Sequence, residues 1–99
     1  MGFRKVVIRQ SVIDDLADIA WFIESKGMPQ TAKQFVDETY DFLGSLVKSD
    51  RSFATCREPD RKLIGYKCVV YKKKYTIVFI ETDRELIICE FIPSKRIYW

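Results

Sequence analysis

The chain has 99 residues and a formal net charge of +3, with 47% hydrophobic and 31% charged residues. This length predicts one domain, residues 1–99, around a single core, and the composition excludes a disordered or collagen-like chain. No apolar run approaches the ~18–20 residues of a membrane-spanning helix, and the first residues lack the apolar segment of a signal peptide. We therefore expect a cytoplasmic protein with no membrane partner.

The chain contains no histidine, which excludes serine–histidine and cysteine–histidine nucleophilic chemistry and acid–base catalysis by histidine. Its three cysteines, Cys56, Cys68 and Cys89, are widely spaced and form no C-x-x-C pair. We expect free thiols in a reducing compartment rather than a zinc site or a disulfide framework. Neither a metal nor another cofactor is predicted.

The first half of the chain predicts a strand followed by a helical hairpin. Residues Phe3–Arg9 are rich in Val and Ile, as in a short strand. Ser11 is predicted to begin the first helix, with Asp14 as its capping-box partner, and Gly27 to end it. Pro29 then stands in the first turn of a second, antiparallel helix. The predicted apolar faces are Val12, Leu16, Ile19, Ala20 and Ile23 on the first helix and Ala32, Phe35, Val36, Thr39, Tyr40, Leu43, Leu46 and Val47 on the second.

After a polar loop, Lys48–Asp60, the apolar pattern becomes typical of strands. Lys62–Tyr71, Tyr75–Glu81 and Leu86–Ile92 are rich in Val, Ile, Tyr and Phe. The order of elements predicts an α+β domain: an N-terminal strand, an antiparallel helical hairpin and three antiparallel strands, with the helices packed on one face of an antiparallel sheet.

Charge is distributed unevenly along the chain. Residues 10–42 carry seven acidic and two basic residues, whereas residues 51–75 carry eight basic and two acidic residues. A basic surface opposite an acidic one suits a polyanion, either nucleic acid or an acidic protein segment. The alternative is that Lys72–Lys74 form a solvated turn that also discourages edge pairing.

Aromatic residues allow two interpretations in the same region. Tyr66, Tyr71, Tyr75 and Phe79 alternate with lysines and would suit stacked nucleobases, or alternate members of the set simply fill the core. Trp21 and Phe22 lie off the apolar stripe of the first helix. At least one of them is a candidate partner contact, and packing within the helical hairpin is the simpler alternative. The apolar residues 97–99 either fold back onto the domain or join a partner surface.

A pattern in the last third of the chain resembles the RelE/ParE toxin superfamily. Gly65–Tyr71 is followed by three lysines, by Tyr75–Phe79 and by the strand Leu86–Ile92, which ends shortly before the basic pair Lys95 and Arg96. The preceding strand–helix–helix is similar to the ParE branch, and the resemblance covers essentially the whole chain.

The resemblance implies a growth-inhibiting toxin of a bacterial type II toxin–antitoxin system of the plasmid-stabilization kind, neutralised by a cognate antitoxin. ParE-like members poison DNA gyrase and need no catalytic residues. RelE-like members cut mRNA on the ribosome without a metal, using Lys, Arg and Tyr side chains. Both a homo-oligomer and a toxin–antitoxin hetero-oligomer are compatible with the family, and a toxin-fold protein that has lost toxicity is a third alternative.

The residues of a RelE-like endoribonuclease match this chain only in part. The family's arginine after the last strand matches Arg96, which would stabilise charge on the phosphorane. Lys62 matches approximately, Tyr98 is a substitute for the C-terminal tyrosine, and Tyr71 replaces a second arginine. These departures favour ParE-like action and leave open whether the protein is an enzyme. The residues predicted to bind nucleic acid or the antitoxin are Lys67, Tyr71, Lys72, Lys73, Lys74 and Lys95.

Overall fold

A strand and two long helices precede three further strands in the computed structural model, which describes residues 5–48 and 53–96. The elements are β1 (Lys5–Ile8), α1 (Gln10–Ser25), α2 (Pro29–Ser45), α3 (Pro59–Ile64), β2 (Lys67–Tyr71), β3 (Tyr75–Glu81), β4 (Glu85–Pro93) and a 3₁₀ helix (Ser94–Arg96). The predicted α+β class and the predicted strand–helix–helix–strand–strand–strand order are confirmed. No helix within the described residues is long and apolar enough to cross a membrane.

The four strands form one sheet in the order β1-β4-β3-β2. Strands β2, β3 and β4 are antiparallel, as predicted, but β1 runs parallel to β4, with Lys5 opposite Glu85 and Ile8 opposite Ile88. The sheet is therefore mixed, and the expectation of a wholly antiparallel sheet is wrong for this one pair. Parallel neighbours need a long crossover connection, and the helical hairpin supplies it between β1 and the rest of the sheet.

The helical hairpin is bounded largely as the sequence predicts. Gly27 has φ +83° and its backbone N–H donates to the Glu24 carbonyl at 2.9 Å, which ends α1. Pro29 occupies the first turn of α2. The predicted capping box at Ser11 is wrong: α1 already begins at Gln10, and its N-cap, Arg9, makes no side-chain capping bond. Arg9 is still tied to β4 through its backbone, so the helix starts directly where the strand pairing stops.

The core lies between the helical hairpin and one face of the sheet. Its members are Val12, Leu16, Phe35, Leu43, Leu46, Phe53, Tyr71, Ile77, Phe79, Leu86, Ile88 and Phe91. Among the aromatic residues that alternate with lysines, Phe79 is fully buried, Tyr71 is 6% exposed, and Tyr75 stacks on Phe91 at a centroid distance of 4.8 Å. Tyr71 and Phe79 therefore belong to the core, which confirms the core interpretation for these two rings, and the partly buried Tyr75 packs against it.

A short helix, α3, replaces the start of the predicted strand Lys62–Tyr71. Glu58 caps its N-terminus by accepting hydrogen bonds from the backbone N–H groups of Asp60 and Arg61. Gly65, with φ +91°, ends it in the left-handed conformation. Lys62 consequently lies on an exposed helix, and the strand begins only at Lys67.

An ion pair holds α3 against the sheet. The Arg61 guanidinium donates to both carboxylate oxygens of Glu90, at 2.8 and 2.7 Å, and these bonds raise the pKa of Arg61. Glu90 is paired with Val78, whose neighbours in β3 face the helical hairpin. Because side chains alternate along a strand, Glu90 points to the opposite face, and α3 packs on that side.

The cysteines differ from the predicted set of free thiols. Cys56 and Cys68 are joined by a disulfide, and Cys89 is free and buried. The disulfide forms because residues 54–56 run beside the start of β2, where Thr55 bridges Lys67. Burial raises the pKa of the Cys89 thiol, so the expectation of an unbonded thiol holds for that residue alone.

Candidate anion-binding surface

Lysines from two separate elements meet at one end of the sheet. Tyr75, the first residue of β3, is paired with Pro93, the last residue of β4. This register places the turn 72–74 beside the 3₁₀ helix, and the Ser94 backbone N–H donates to the Lys74 carbonyl at 2.9 Å. A hollow of about 600 Å³ at this junction, the lysine pocket, is lined by Lys73, Lys74, Tyr75, Pro93, Ser94 and Lys95.

The lysine pocket is cationic and open to solvent. Lys73, Lys74 and Lys95 are exposed, and none of the described residues that line the pocket is acidic. Three basic residues that line one hollow, with no acidic residue beside them, create a positive potential that attracts an anion. The arrangement suits a carboxylate or a phosphate group.

The turn that carries two of these lysines is strained. Lys72 and Lys73 have φ values of +54° and +60°, and the Lys74 backbone N–H donates to the Tyr71 carbonyl at 3.2 Å. Such a turn favours Asn and Gly, because a side chain in the left-handed region costs roughly 1–2 kcal/mol. Backbone strain that persists at an exposed position points to a role for the side chains placed there.

Lys72 is directed away from the lysine pocket. Its Nζ donates to Glu38 on α2 at 2.5 Å, and this bond, with a further one from Gln34, lowers the pKa of Glu38. The same contact raises the pKa of Lys72. Of the three turn lysines, Lys73 and Lys74 line the pocket while Lys72 ties the turn to the helical hairpin.

A second hollow, the α1 groove, continues from the lysine pocket along α1. It has a volume of about 680 Å³ and shares Tyr75, Pro93 and Lys95 with the lysine pocket. Its remaining lining residues are Asp15, Asp18, Ile19, Phe22, Phe91 and Ile92. The α1 groove is therefore apolar along its length, acidic towards α1 and basic towards Lys95. Phe22, a predicted partner contact, is 58% exposed and lines the groove, and Trp21 beside it is 71% exposed.

On its other side the lysine pocket adjoins a third hollow, the disulfide pocket, of about 410 Å³. Lys73 and Ser94 line both, and the disulfide pocket adds Ala54, Thr55, Cys56, Arg57, Cys68 and Val70. The three hollows form one band around the end of β4. Its basic part extends from Lys95 through Lys73 to Arg57.

The structure brings only some of the predicted site residues together. Lys73, Lys74 and Lys95 share the lysine pocket. Lys67 begins β2, about 13 Å along the strand from the turn, and Lys62 lies on α3; neither lines the lysine pocket. Arg96 follows Lys95 as the last residue of the 3₁₀ helix, and Tyr98 lies outside the described residues.

Tyr71, a predicted binding residue, lies in the core and does not line the lysine pocket. Its hydroxyl accepts a hydrogen bond from the Thr39 hydroxyl at 3.2 Å, and its ring packs on Phe42 with a centroid distance of 4.7 Å. Tyr71 faces the helical hairpin because it belongs to the core-facing positions of β2. Its burial leaves the turn beyond it as the exposed part of the motif.

Two contributors to the basic band were not predicted as site residues, namely Arg57 and Ser94. Arg57 belongs to the basic segment 51–75, but nothing in its spacing places it beside Lys73. Ser94 lines two hollows because Tyr75 pairs with Pro93. That register depends on an irregularity between Val78 and Phe79, which no sequence pattern reveals.

Among the described residues, no group of three or more His, Cys, Asp or Glu side chains is arranged to hold a metal ion.

Neither protein-family models nor curated proteins match the chain. The likeness to the RelE/ParE superfamily therefore rests on the order of elements and the basic motifs of this chain alone.

Proposed function

We propose that this protein is the toxin of a bacterial type II toxin–antitoxin pair, that it acts in the cytoplasm, and that a cognate antitoxin neutralises it. The lysine pocket is the observation that carries this proposal. Its three exposed lysines and its strained turn present positive charge for an anionic partner. An acidic segment of the antitoxin, or a phosphate-bearing target, would neutralise that charge.

DNA gyrase is the proposed target, ahead of ribosome-bound mRNA. Metal-independent cleavage of mRNA needs one side chain to take a proton from the 2′-hydroxyl and others to stabilise the phosphorane charge. Tyr71, which stands where a RelE-like enzyme has a second arginine, is buried, and Lys62 lies on α3 outside the lysine pocket. This placement favours an activity that depends on binding.

Two alternatives remain distinct from this proposal. A metal-independent mRNA endoribonuclease is favoured by one observation: Lys95 and Arg96 follow each other in the 3₁₀ helix, next to the turn lysines. A toxin-fold binding protein without toxicity would use the same basic band only to hold a partner.

Pulse-labelling of protein and DNA synthesis directly after induction of this gene alone separates the three functions. We expect DNA synthesis to fall first, as gyrase inhibition requires. An earlier fall in protein synthesis would instead indicate the endoribonuclease, and Arg96→Ala should then abolish cleavage without unfolding the protein. If neither synthesis falls, both proposed targets are excluded, and the toxin-fold binding protein becomes the favoured function.

The role of the lysine pocket is tested by removing one charge from each of its two elements. Lys73→Gln/Lys95→Gln should reduce growth arrest and should lower the salt concentration at which the protein leaves a heparin column. Lys33→Gln/Lys48→Gln removes the same charge from two other exposed positions, one on α2 and one in the turn that follows it, and is the matched control. Equal effects of the two double variants would show that only net charge matters, and the pocket would lose its assigned role.

A further inference from the structure

The disulfide pocket combines a sulfur–sulfur bond with two cations. Cys56 and Cys68 both line this hollow, together with Arg57 and Lys73. Both cations are exposed, and neither forms a salt bridge with an acidic side chain of the described residues. A bonded cysteine pair in the core would be shielded from other thiols, but this pair borders a space that a small molecule can enter.

The two cysteines are not equally accessible. Cys56 is 1% exposed, whereas Cys68 is only half-buried. An incoming thiolate therefore reaches the Cys68 sulfur more readily, and the Cys56 sulfur becomes the leaving group. Positive charge nearby favours both the approach of an anion and the departure of a thiolate. Arg57, the next residue after Cys56, and Lys73 supply that charge.

We propose that the disulfide pocket is a thiol-exchange site that takes small anionic thiols, compounds carrying carboxylates on the same molecule as the thiol. The carboxylates bind Arg57 and Lys73 while the small thiolate attacks the Sγ atom of Cys68. A bond forms between these two sulfurs, the Cys56–Cys68 bond breaks, and its electron pair leaves on the Sγ atom of Cys56, which takes a proton from water.

A second molecule of the same thiol completes the exchange. Its thiolate attacks the small-molecule sulfur of the mixed disulfide, and Cys68 leaves as a thiolate that is protonated in turn. The products are two protein thiols and one small-molecule disulfide. Two electrons have passed from the two small thiols to the protein, so no further oxidant or reductant is needed.

Exchange would also loosen the segment that carries Arg57. Besides the disulfide, residues 54–56 are held to the start of β2 by two backbone bonds. The Cys56 N–H donates to the Tyr66 carbonyl at 2.9 Å, and the Cys68 N–H donates to the Ala54 carbonyl at 3.3 Å. Without the covalent bond, only these two contacts and the buried Phe53 side chain hold the segment. The concentration of small thiols would therefore change how firmly the Arg57 end of the basic band is held.

The charge preference of the exchange is the first test, in a Cys89→Ser background so that only the disulfide reacts. Glutathione is the anionic probe, 2-mercaptoethanol the neutral one and cysteamine the cationic one, with rates corrected for the thiolate fraction of each. We expect glutathione to react several-fold faster than 2-mercaptoethanol and cysteamine to react slowest, with the differences shrinking as salt is added. Equal corrected rates would overturn the proposal.

Variants assign the preference to the two cations. Arg57→Gln/Lys73→Gln should bring the three corrected rates together, whereas Lys33→Gln/Lys48→Gln should leave the glutathione preference intact. A preference that survives in Arg57→Gln/Lys73→Gln would contradict the site. This assay needs no partner and no growth arrest, so its result is independent of the proposed toxin function.

Hydrogen exchange of the reduced protein tests the loosening. The amides of Cys56 and Cys68 should exchange faster after reduction, while the amides of Ile77 and Val78 in β3 stay protected. Unchanged protection at both cysteines would show that the backbone bonds alone hold the segment. The hydrogen-exchange experiment uses the wild-type chain, so its result does not depend on the folding of a cysteine variant.

Discussion

Thr39 and Tyr71 place two hydroxyl groups in the core, where each serves as the hydrogen-bonding partner of the other. Both side chains are buried. Removing one hydroxyl therefore leaves the other in the core without the hydrogen bond that it would make to water in the unfolded chain. Replacing both removes the polar groups together, and this can be nearly neutral. The hydrogen bond between these two side chains therefore links α2 to the end of β2.

The first prediction concerns this pair. Tyr71→Phe should lower the free energy of unfolding by about 1 kcal/mol, and Thr39→Val/Tyr71→Phe should lower it by less than the sum of the two single changes. Urea unfolding of the four proteins measures the difference. Strictly additive losses would mean that the hydrogen bond contributes no coupling.

Glu58 is the residue whose ionisation supports α3. Burial by itself would raise the pKa of Glu58, but hydrogen bonds from the backbone of Asp60 and Arg61 and from the Arg61 side chain outweigh it and lower the pKa. A carboxyl whose pKa is lower in the folded chain stabilises the fold above its unfolded pKa, about 4.3. That stabilisation is lost as the pH falls through the lower, folded pKa.

The second prediction follows from the lowered pKa of Glu58. Glu58→Ala should destabilise the protein at neutral pH, and the difference from the wild type should shrink as the pH falls below about 4. Urea unfolding across this pH range measures it, with Asp83→Ala in the exposed β3–β4 turn as control. A difference that stays constant down to low pH would assign the effect to lost packing.

At the scale of elements, the β2–β3 turn is less stable than it could be because it carries a lysine that binding uses. Lys73 has φ +60°, a conformation that glycine adopts without a steric penalty, yet the residue present there carries a charge into the lysine pocket. Glycine at position 73 would therefore give a less strained turn, but the lysine pocket would lose one of its three lysines.

The third prediction separates these two effects. Lys73→Gly should raise the free energy of unfolding by about 1 kcal/mol and should weaken retention on heparin. Lys74→Gly removes the neighbouring charge at a position whose φ is not positive, and it should weaken retention without the gain in stability. Thermal unfolding and salt elution of both variants measure the outcome; a Lys73→Gly protein no more stable than the wild type would contradict the strain argument.

The helical hairpin was predictable from sequence because its signals are local. Gly27 ends the first helix and Pro29 begins the second, and the apolar spacing from Val12 to Leu16 identifies the buried face of the first. Helix α3 has local signals too, with Pro59 at its start and Gly65 at its end, but Leu63 and Ile64 are exposed and show no buried stripe. The Cys56–Cys68 bond could not be predicted, because it depends on Thr55 pairing with Lys67 across an intervening helix.

The candidate site was predictable only in part for a related reason. The three turn lysines stand out in the sequence, but their different roles depend on the folded structure. Lys72 binds Glu38 on α2, while Lys73 and Lys74 line the same pocket as Lys95. The burial of Tyr71 could not be predicted, because the direction of a strand side chain depends on the register and not on residue type. Polar residues near strand ends therefore identify the region before they identify the contacts.

For the molecule as a whole, the disulfide closes a loop across a sequence separation of 12 residues and covers the edge of the sheet at β2. The fourth prediction is that reduction lowers the free energy of unfolding by about 3 kcal/mol, the chain-entropy value for a loop of this length. Urea unfolding with and without a reductant, in the Cys89→Ser background, measures it. An unchanged midpoint would show that the anchoring of Phe53 in the core suffices to hold the segment.

The parallel pairing of β1 with β4 has a consequence for how the protein is made. Lys5 pairs with Glu85, about eighty residues further along the chain, and closing so long a loop is costly in chain entropy and slow. Because β4 also lies between β1 and β3, β1 has no neighbouring strand in the sheet until β4 has been synthesised. A nascent chain that stops before β4 would expose part of the apolar face of the helical hairpin, so the burial of that face is completed only once β4 has been synthesised.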